Sequence, residues 1–279
     1  MKWARFTLIF GFLSMFSYTQ SLAQDPIRLG IAPHSSARII YETHHDVKLF
    51  LEKQFGRPVE ILTAKNFSEF SKRCNEGKSY DLILTSPNLA YLAQQLAQYR
   101  PFMTYTKGLE TTILSSTPDV LERTKRPLRV AGQDPISFST LSAQAWLEKK
   151  GLKEGSDIVY TYYTSASDSL GTILTSGAAD MVIMSWPNYL KLSDEVKAKA
   201  HLFYHSPAAP SRIYLAKEGN GITLVQWEEA LDAFALSVEG RAHLDITKLE
   251  GFKKLSLDAL TEMKPIAETS LQRLQGVQP

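Results

Sequence analysis

Apolar and polar positions follow two rhythms along the chain, and the switches between them mark its elements. Residues 27–32 alternate with the two-residue period of a half-buried strand, and Pro33 ends the run. From Arg38 to Phe55 the apolar residues Ile39, Ile40, Val47, Leu51 and Phe55 recur at helical spacing. Ser35 and Ser36 stand where an N-cap belongs, and Gly56 stops the helix. A strand over 59–62, a helix from Asn66 to Gly77, a nearly continuous apolar strand over 80–85 and a helix opened by Ser86-Pro87-Asn88 follow. This β-α-β-α-β-α order implies a parallel sheet with helices on its faces.

A Tyr- and Thr-rich stretch over 104–116 leads out of this unit, and the rhythm restarts. Strands are expected over 128–132, 158–163 and 179–184, alternating with helices over 140–150, 169–176 and from Pro187. Beyond Pro207 and Pro210 comes a strand over 212–216, then helices over 225–239 and 257–274. The expected fold is α/β and two-lobed, each lobe a mainly parallel sheet flanked by helices, with two crossing segments between them. The first lobe takes 24–112 and 210–279 and the second takes 113–209. No short tandem repeat or low-complexity segment interrupts the pattern.

The N-terminus changes the picture by fixing a compartment. Lys2 and Arg5 precede an apolar run over 6–16, and Ser21-Leu22-Ala23 offers small residues at the cleavage positions, so residues 1–23 read as a secretory signal peptide. The run is well short of the roughly 20 residues that span a bilayer. The single cysteine, Cys74, lies far from that site, so the expectation is a free periplasmic protein and not a lipoprotein. One cysteine closes no intramolecular bridge, which leaves stability to the cores. The formal charge of +2 comes from Lys2 and Arg5, so the remaining charges balance, against nucleic acid as a partner. A monomer is expected.

Candidate chemistry sits where ligands of open α/β sheets sit, in the turns that follow strands. These read His34-Ser35-Ser36, Thr85-Ser86-Pro87-Asn88, Ser137-Phe138-Ser139-Thr140, Ser167-Asp168-Ser169 and Ser185-Trp186-Pro187-Asn188. Each puts hydroxyls or amides at a helix N-terminus, where free N–H groups and the helix dipole favour an anion. The same residue types also serve as ordinary N-caps. Five such turns across two lobes point to one shared cleft, with Tyr105, Phe138 and Trp186 as apolar walls. Asp168 either pairs with a cationic group on the ligand or caps its helix.

Enzyme signatures are missing: the chain has no Gly-x-Ser-x-Gly elbow, phosphate loop or His-Glu-x-x-His helix. His44-His45-Asp46 suggests a metal, but adjacent helical residues point about 100° apart, so neither metal nor cofactor is expected.

Taken together, several stretches resemble the phosphate/phosphonate type of ABC-transporter substrate-binding proteins, whose fold is the type II periplasmic-binding-protein fold. They are Leu29-Gly30-Ile31-Ala32-Pro33, Phe55-Gly56-Arg57-Pro58-Val59-Glu60, Tyr80-Asp81-Leu82, Asp134-Pro135-Ile136-Ser137-Phe138-Ser139 and Gly177-Ala178-Ala179-Asp180. The resemblance implies a binding protein, not an enzyme, that closes on a small anion and hands it to an ABC permease. The same fold also serves proteins that present a ligand to a membrane sensor kinase. It further implies that Ser137 and Ser139 hold an oxyanion and that Asp168 stands where the family's glutamate takes an amino group. The chain departs from the family at Phe138, in place of a threonine, at Ser86, in place of a tyrosine, and at Ser185-Trp186-Pro187, which lacks an acid.

Overall fold

The computed structural model describes residues 25–122, 126–163, 170–256 and 258–276, so the expected signal peptide, Ser167 and Asp168 lie outside the described residues. The first run comprises β1 (Ile27–Ile31), α1 (Ala37–Phe55), β2 (Val59–Leu62), α2 (Phe67–Glu76), β3 (Leu82–Thr85), α3 (Pro87–Ala97) and β4 (Arg100–Tyr105). The second comprises β5 (Thr111–Ser115), β6 (Leu128–Gly132), α4 (Phe138–Lys149), β7 (Ile158–Tyr162), α5 (Leu170–Thr175), β8 (Met181–Ser185), α6 (Trp186–Leu190), α7 (Asp194–Lys199) and β9 (His201–His205). The chain then returns through β10 (Ile213–Ala216), α8 (Leu224–Leu236), α9 (Val238–Thr247), β11 (Phe252–Lys254) and α10 (Lys264–Leu274).

Two sheets result, ordered β11-β4-β10-β3-β1-β2 and β7-β6-β8-β5-β9. Both are mixed and not mainly parallel. Only β1 with β2 and β3, and β6 with β7 and β8, pair parallel; β4, β5, β9, β10 and β11 pair antiparallel. The reason is connectivity: a strand arriving from the other lobe starts at the edge where the parallel strands end. Thr111 and Thr112 pair with β8 and therefore belong to the second sheet, not to the first lobe as the sequence pattern suggested.

The chain passes between sheets over 106–110 and 206–212, and these segments hold each other through reciprocal 2.9 Å hydrogen bonds between Leu109 and Ala209.

The two lobes repeat one local design. In the first, Arg28 grips Asp81 with Nε–Oδ2 at 3.1 Å and Nη2–Oδ1 at 2.9 Å. In the second, Arg129 grips Asp180 with 3.2 and 3.1 Å contacts of the same two kinds. Each pair ties the amino end of a leading strand to the residue just before β3 or β8. The register is thereby fixed, and the carboxyl ends of β1 and β3, and of β6 and β8, come level at the cleft.

Helices cover both faces of the first sheet: α1, α8 and α9 pack against Leu29, Leu82 and Tyr214, while α2, α3 and α10 pack against Ile83 and Leu215. In the second lobe α4 covers one face and α5 the other. The first-lobe core extends across the cleft, because Ile136 and Phe138 from the second lobe pack into the same buried cluster as Ala32, Phe67 and Leu89. Polar contacts also bridge the lobes. Phe67 N–H donates to Asp134 Oδ2 at 3.2 Å, Asn88 Nδ2 to the Ile136 carbonyl at 3.0 Å, Gln133 Nε2 to the Pro33 carbonyl at 3.0 Å and Arg273 Nη1 to the Pro135 carbonyl at 2.7 Å. The lobes thus stand closed on each other.

Candidate functional site

A partly open cavity lies between the lobes, at the carboxyl ends of both sets of parallel strands. From the first lobe it takes Ala32 and His34 beyond β1, Phe67 at the start of α2, and Thr85 and Ser86 beyond β3. From the second it takes Gln133, Ser137, Phe138 and Ser139 beyond β6, and Ser185 and Asn188 beyond β8. Leu109 and Arg212 enter from the two crossing segments. About 40 Å³ is open to the centre of a water-sized sphere, within about 430 Å³ of unfilled space. One water needs only about 10–15 Å³ by the first measure, so the cavity has room for a molecule of several heavy atoms.

Local folding explains how the hydroxyls arrive there. Ser137 caps α4: its Oγ accepts from Thr140 N–H at 3.3 Å and donates to Thr140 Oγ1 at 2.8 Å. Ser139, half-buried in the first turn of that helix, faces the cavity with the free N–H groups expected there. A Cβ on Gly132 would come within 3.0 Å of Thr140 Oγ1, so β6 and α4 meet this closely only because that position is glycine. Ser86 turns its hydroxyl to Asn88 Oδ1 at 2.8 Å.

Thr85 and Ser185 occupy matching places, each the last residue of its strand and each two residues before a proline in the following helix. Both are buried, both line the cavity, and neither side-chain oxygen has a hydrogen-bond partner among the described residues. A buried hydroxyl left unpaired costs about 1–3 kcal/mol, so this symmetric pair marks where a ligand would supply acceptors.

The dominant charge is Arg212. It is 8% exposed and lines the cavity, and its guanidinium makes no hydrogen bond or ion pair with any described residue. Burial pushes its pKa down, and only the Tyr105 and Tyr214 hydroxyls oppose that push. Guanidinium stays protonated even so, which leaves a permanent cation at the cavity wall with no counter-ion among the described residues. Its position follows from topology: β10 runs antiparallel to β3, with Ile213 opposite Thr85, so the residue just before β10 lies at the carboxyl edge of the sheet. Thr104 Oγ1 fixes its backbone by donating to the Arg212 carbonyl at 3.0 Å.

Three histidines gather here, His34 on the cavity wall and His44 and His243 buried behind it. His34 and His44 ring centroids are 6.0 Å apart, and those of His44 and His243 are 5.1 Å apart. Burial, together with the charges of Arg212 and Lys191, holds all three below the usual imidazole range, with His243 near 4. They are neutral at pH 7. Among the described residues no cluster of His, Cys, Asp or Glu could hold a metal.

Of the residues expected from the sequence, the structure brings His34, Thr85, Ser86, Ser137, Phe138, Ser139 and Ser185 together on the cavity. Others lie elsewhere. Ser36 caps α1 by accepting from Ile39 N–H at 3.4 Å, while Ser35 lines a separate hollow with Asn188 and Lys191. Asn88 is fully committed, to Ser270 Oγ at 2.8 Å as well as to Ile136 and Ser86, and Thr140 is buried under the Ser137 cap.

Tyr105 belongs to the first-lobe core and not to the cavity. Its hydroxyl meets Tyr214 at 3.3 Å and His243 at 3.2 Å, because β4 directs it inward beneath Phe252. Trp186 stacks between Tyr189 and His205, with centroids 4.7 and 4.3 Å away, and lies off the cavity. The helix it begins, α6, has five residues and is too short to act as an anion-binding helix end. Ser167 and Asp168 lie outside the described residues.

The sequence reading missed Arg212, Gln133, Phe67, Leu109 and Ala32. A signal for the most important was present: one basic residue stands between the prolines of a crossing segment and the wholly apolar strand Ile213-Tyr214-Leu215-Ala216.

Comparison with known proteins agrees with this geometry. The family model for the periplasmic substrate-binding proteins of phosphonate ABC transporters matches residues 29–260. No curated protein matches the chain in sequence. Among solved structures, the chain resembles a binding-protein component of an ABC phosphonate transporter from Pseudomonas aeruginosa, with a TM-score of 0.75, 14% identity and coverage of 91% of this chain and 94% of that one. It also resembles PhnD1 from Prochlorococcus marinus, solved with methylphosphonate, at a TM-score of 0.72, 16% identity and coverage of 90% and 98%. More distant is the alkanesulfonate-binding protein SsuA from Xanthomonas axonopodis pv. citri bound to MOPS, at 0.53, 19% identity and coverage of 92% and 94%. At these identities the structures speak to the fold, and the family match over 29–260 carries the assignment: this chain belongs to the periplasmic substrate-binding proteins of the phosphonate ABC transporters.

Proposed function

We propose that the protein captures a small oxyanion in the cavity between its lobes and presents it to an ABC permease. The observation that carries this reading is that one cavity is lined both by a buried Arg212 with no counter-ion among the described residues and by the hydroxyls of Thr85 and Ser185, which have no partner among them. An anion there would neutralise the guanidinium and accept a hydrogen bond from each hydroxyl, each such bond to a charged group contributing about 1.5–3 kcal/mol. The lobes would move about the paired crossing segments at Leu109 and Ala209. Export with cleavage after Ala23, and delivery as a free monomer, complete the reading. Its test is a thermal-shift screen of phosphate, phosphite, alkylphosphonates, alkylsulfonates and short carboxylates. At least one should raise the melting temperature by several degrees at a hundredfold excess over its Kd; no shift with any of them at millimolar concentration contradicts the proposal.

A further inference from the structure

We infer that Arg273, on the last helix and away from the cavity lining, is a positioning residue that latches the lobes shut and sets how long a ligand stays between them; the ligand half of the inference rests on the proposed function. The observation behind it is the loop that joins β6 to α4, in which each residue from Gln133 to Ile136 holds the first lobe. Gln133 Nε2 donates to the Pro33 carbonyl at 3.0 Å, and the Asp134 carboxylate accepts from Phe67 N–H at 3.2 Å. The Pro135 carbonyl accepts from Arg273 Nη1 at 2.7 Å, and the Ile136 carbonyl from Asn88 Nδ2 at 3.0 Å. The residues that follow, Ser137, Phe138 and Ser139, line the cavity. Docking of this loop on the first lobe therefore brings the α4 turn up to the site, and its release withdraws that turn.

Arg273 reaches further into the second lobe than the other three contacts. Its helix, α10, is anchored in the first-lobe core by Ala267, Leu271 and Leu274. Ser270 and Arg273 stand three residues apart on one face of it. Ser270 Oγ accepts from Asn88 at 2.8 Å, while the Arg273 guanidinium crosses to the other lobe. There the nitrogen that bonds Pro135 also bonds Gln144 Oε1 at 2.9 Å, and Gln144 Nε2 donates in turn to the Tyr162 hydroxyl at 3.1 Å. One half-buried cation thus ties α10 to the loop, to α4 and, through Gln144, to β7. Hydrogen bonds from a charged donor are the stronger kind. These bonds exist only while the lobes are closed, so losing one shifts the closed-to-open ratio by about tenfold or more. A ligand enclosed by the lobes leaves after they part, so its release quickens as the open fraction grows, although every contact inside the cavity is intact.

The test compares the mature wild type with Arg273→Gln, Arg273→Lys, Gln144→Ala and the double variant Arg273→Gln/Gln144→Ala. Small-angle scattering of the ligand-free proteins should give Arg273→Gln a larger radius of gyration than the wild type. Arg273→Lys should fall between them, because lysine keeps the charge and loses the fork. Release of methylphosphonate, or of the screened anion that binds if methylphosphonate does not, is followed by stopped-flow tryptophan fluorescence. It should be about tenfold faster or more from Arg273→Gln. The double variant should release it more slowly than the product of the two single effects requires, since both changes cut one latch. Circular dichroism and thermal melts check folding, and if Arg273→Gln does not fold, Gln144→Ala carries the same two measurements. An unchanged scattering profile overturns the inference. An unchanged release rate overturns it too, while leaving the proposed function standing because the anion still binds. If no anion of the screen binds, the proposed function falls with the ligand half of the inference, and the scattering decides the latch.

Discussion

Arg212 concentrates the account at the scale of a residue. In the ligand-free protein a buried cation with no counter-ion among the described residues is a liability, and replacing even buried ion pairs by apolar side chains of similar size is often stabilising by about 1–4 kcal/mol. Arg212→Met should therefore raise the denaturant midpoint of the ligand-free protein, corresponding to a gain of about 1–4 kcal/mol in unfolding free energy, while removing anion binding. A midpoint lowered in the same measurement would show that Arg212 serves packing and not the cavity. The turn hydroxyls were legible in the sequence because N-cap chemistry is local: Ser137 and Ser86 must sit just before a helix, and the helix is written in the residues that follow. Arg212 was not legible, since its function depends on β10 lying antiparallel beside β3, a pairing across more than a hundred residues. Tyr105 and Trp186 misled for the mirror reason, since an aromatic near a strand end suits a core or a ring stack as well as a pocket.

The elements divide along the same line between local and long-range information. Buried parallel strands and capped helices could be read from the chain, but β9 and β11 are exposed edge strands with no apolar alternation, and only their partners define them. One expected helix over 225–239 is two, because Ser237 both ends α8 and caps α9, accepting from Gly240 N–H at 2.9 Å. Between elements, closure depends on a few contacts that cross the cleft. Asn88, at the start of α3, donates both to the Ile136 carbonyl in the second lobe and to Ser270 Oγ in α10. Asn88→Ala leaves those acceptors unpaired at about 1–3 kcal/mol and should shift the ligand-free protein toward an open form. Small-angle scattering should then give a larger radius of gyration than the wild type, and an unchanged curve would mean that the apolar contacts of Ile136 and Phe138 hold the lobes alone.

Across the whole molecule the buried histidines make stability depend on pH in a direction that can be worked out. His34, His44 and His243 have pKa values below the unfolded 6.5, so between that value and their native ones the unfolded chain holds protons that the native protein does not. Stability is therefore complete above about pH 6.5 and falls as pH drops toward 4. His243 alone, with a native value near 4, accounts for about 3 kcal/mol. Asp134, which burial pushes up, works in the opposite sense in the acidic range. A melting temperature that stays flat from pH 7 to pH 5 would contradict neutral, buried histidines behind the site. A crystal structure of the protein with the anion that raises its melting temperature most tests that site directly. The oxyanion should lie between the lobes, with its oxygens within hydrogen-bonding distance of the Arg212 guanidinium and of the Thr85 and Ser185 hydroxyls; an anion bound away from Arg212 would contradict it.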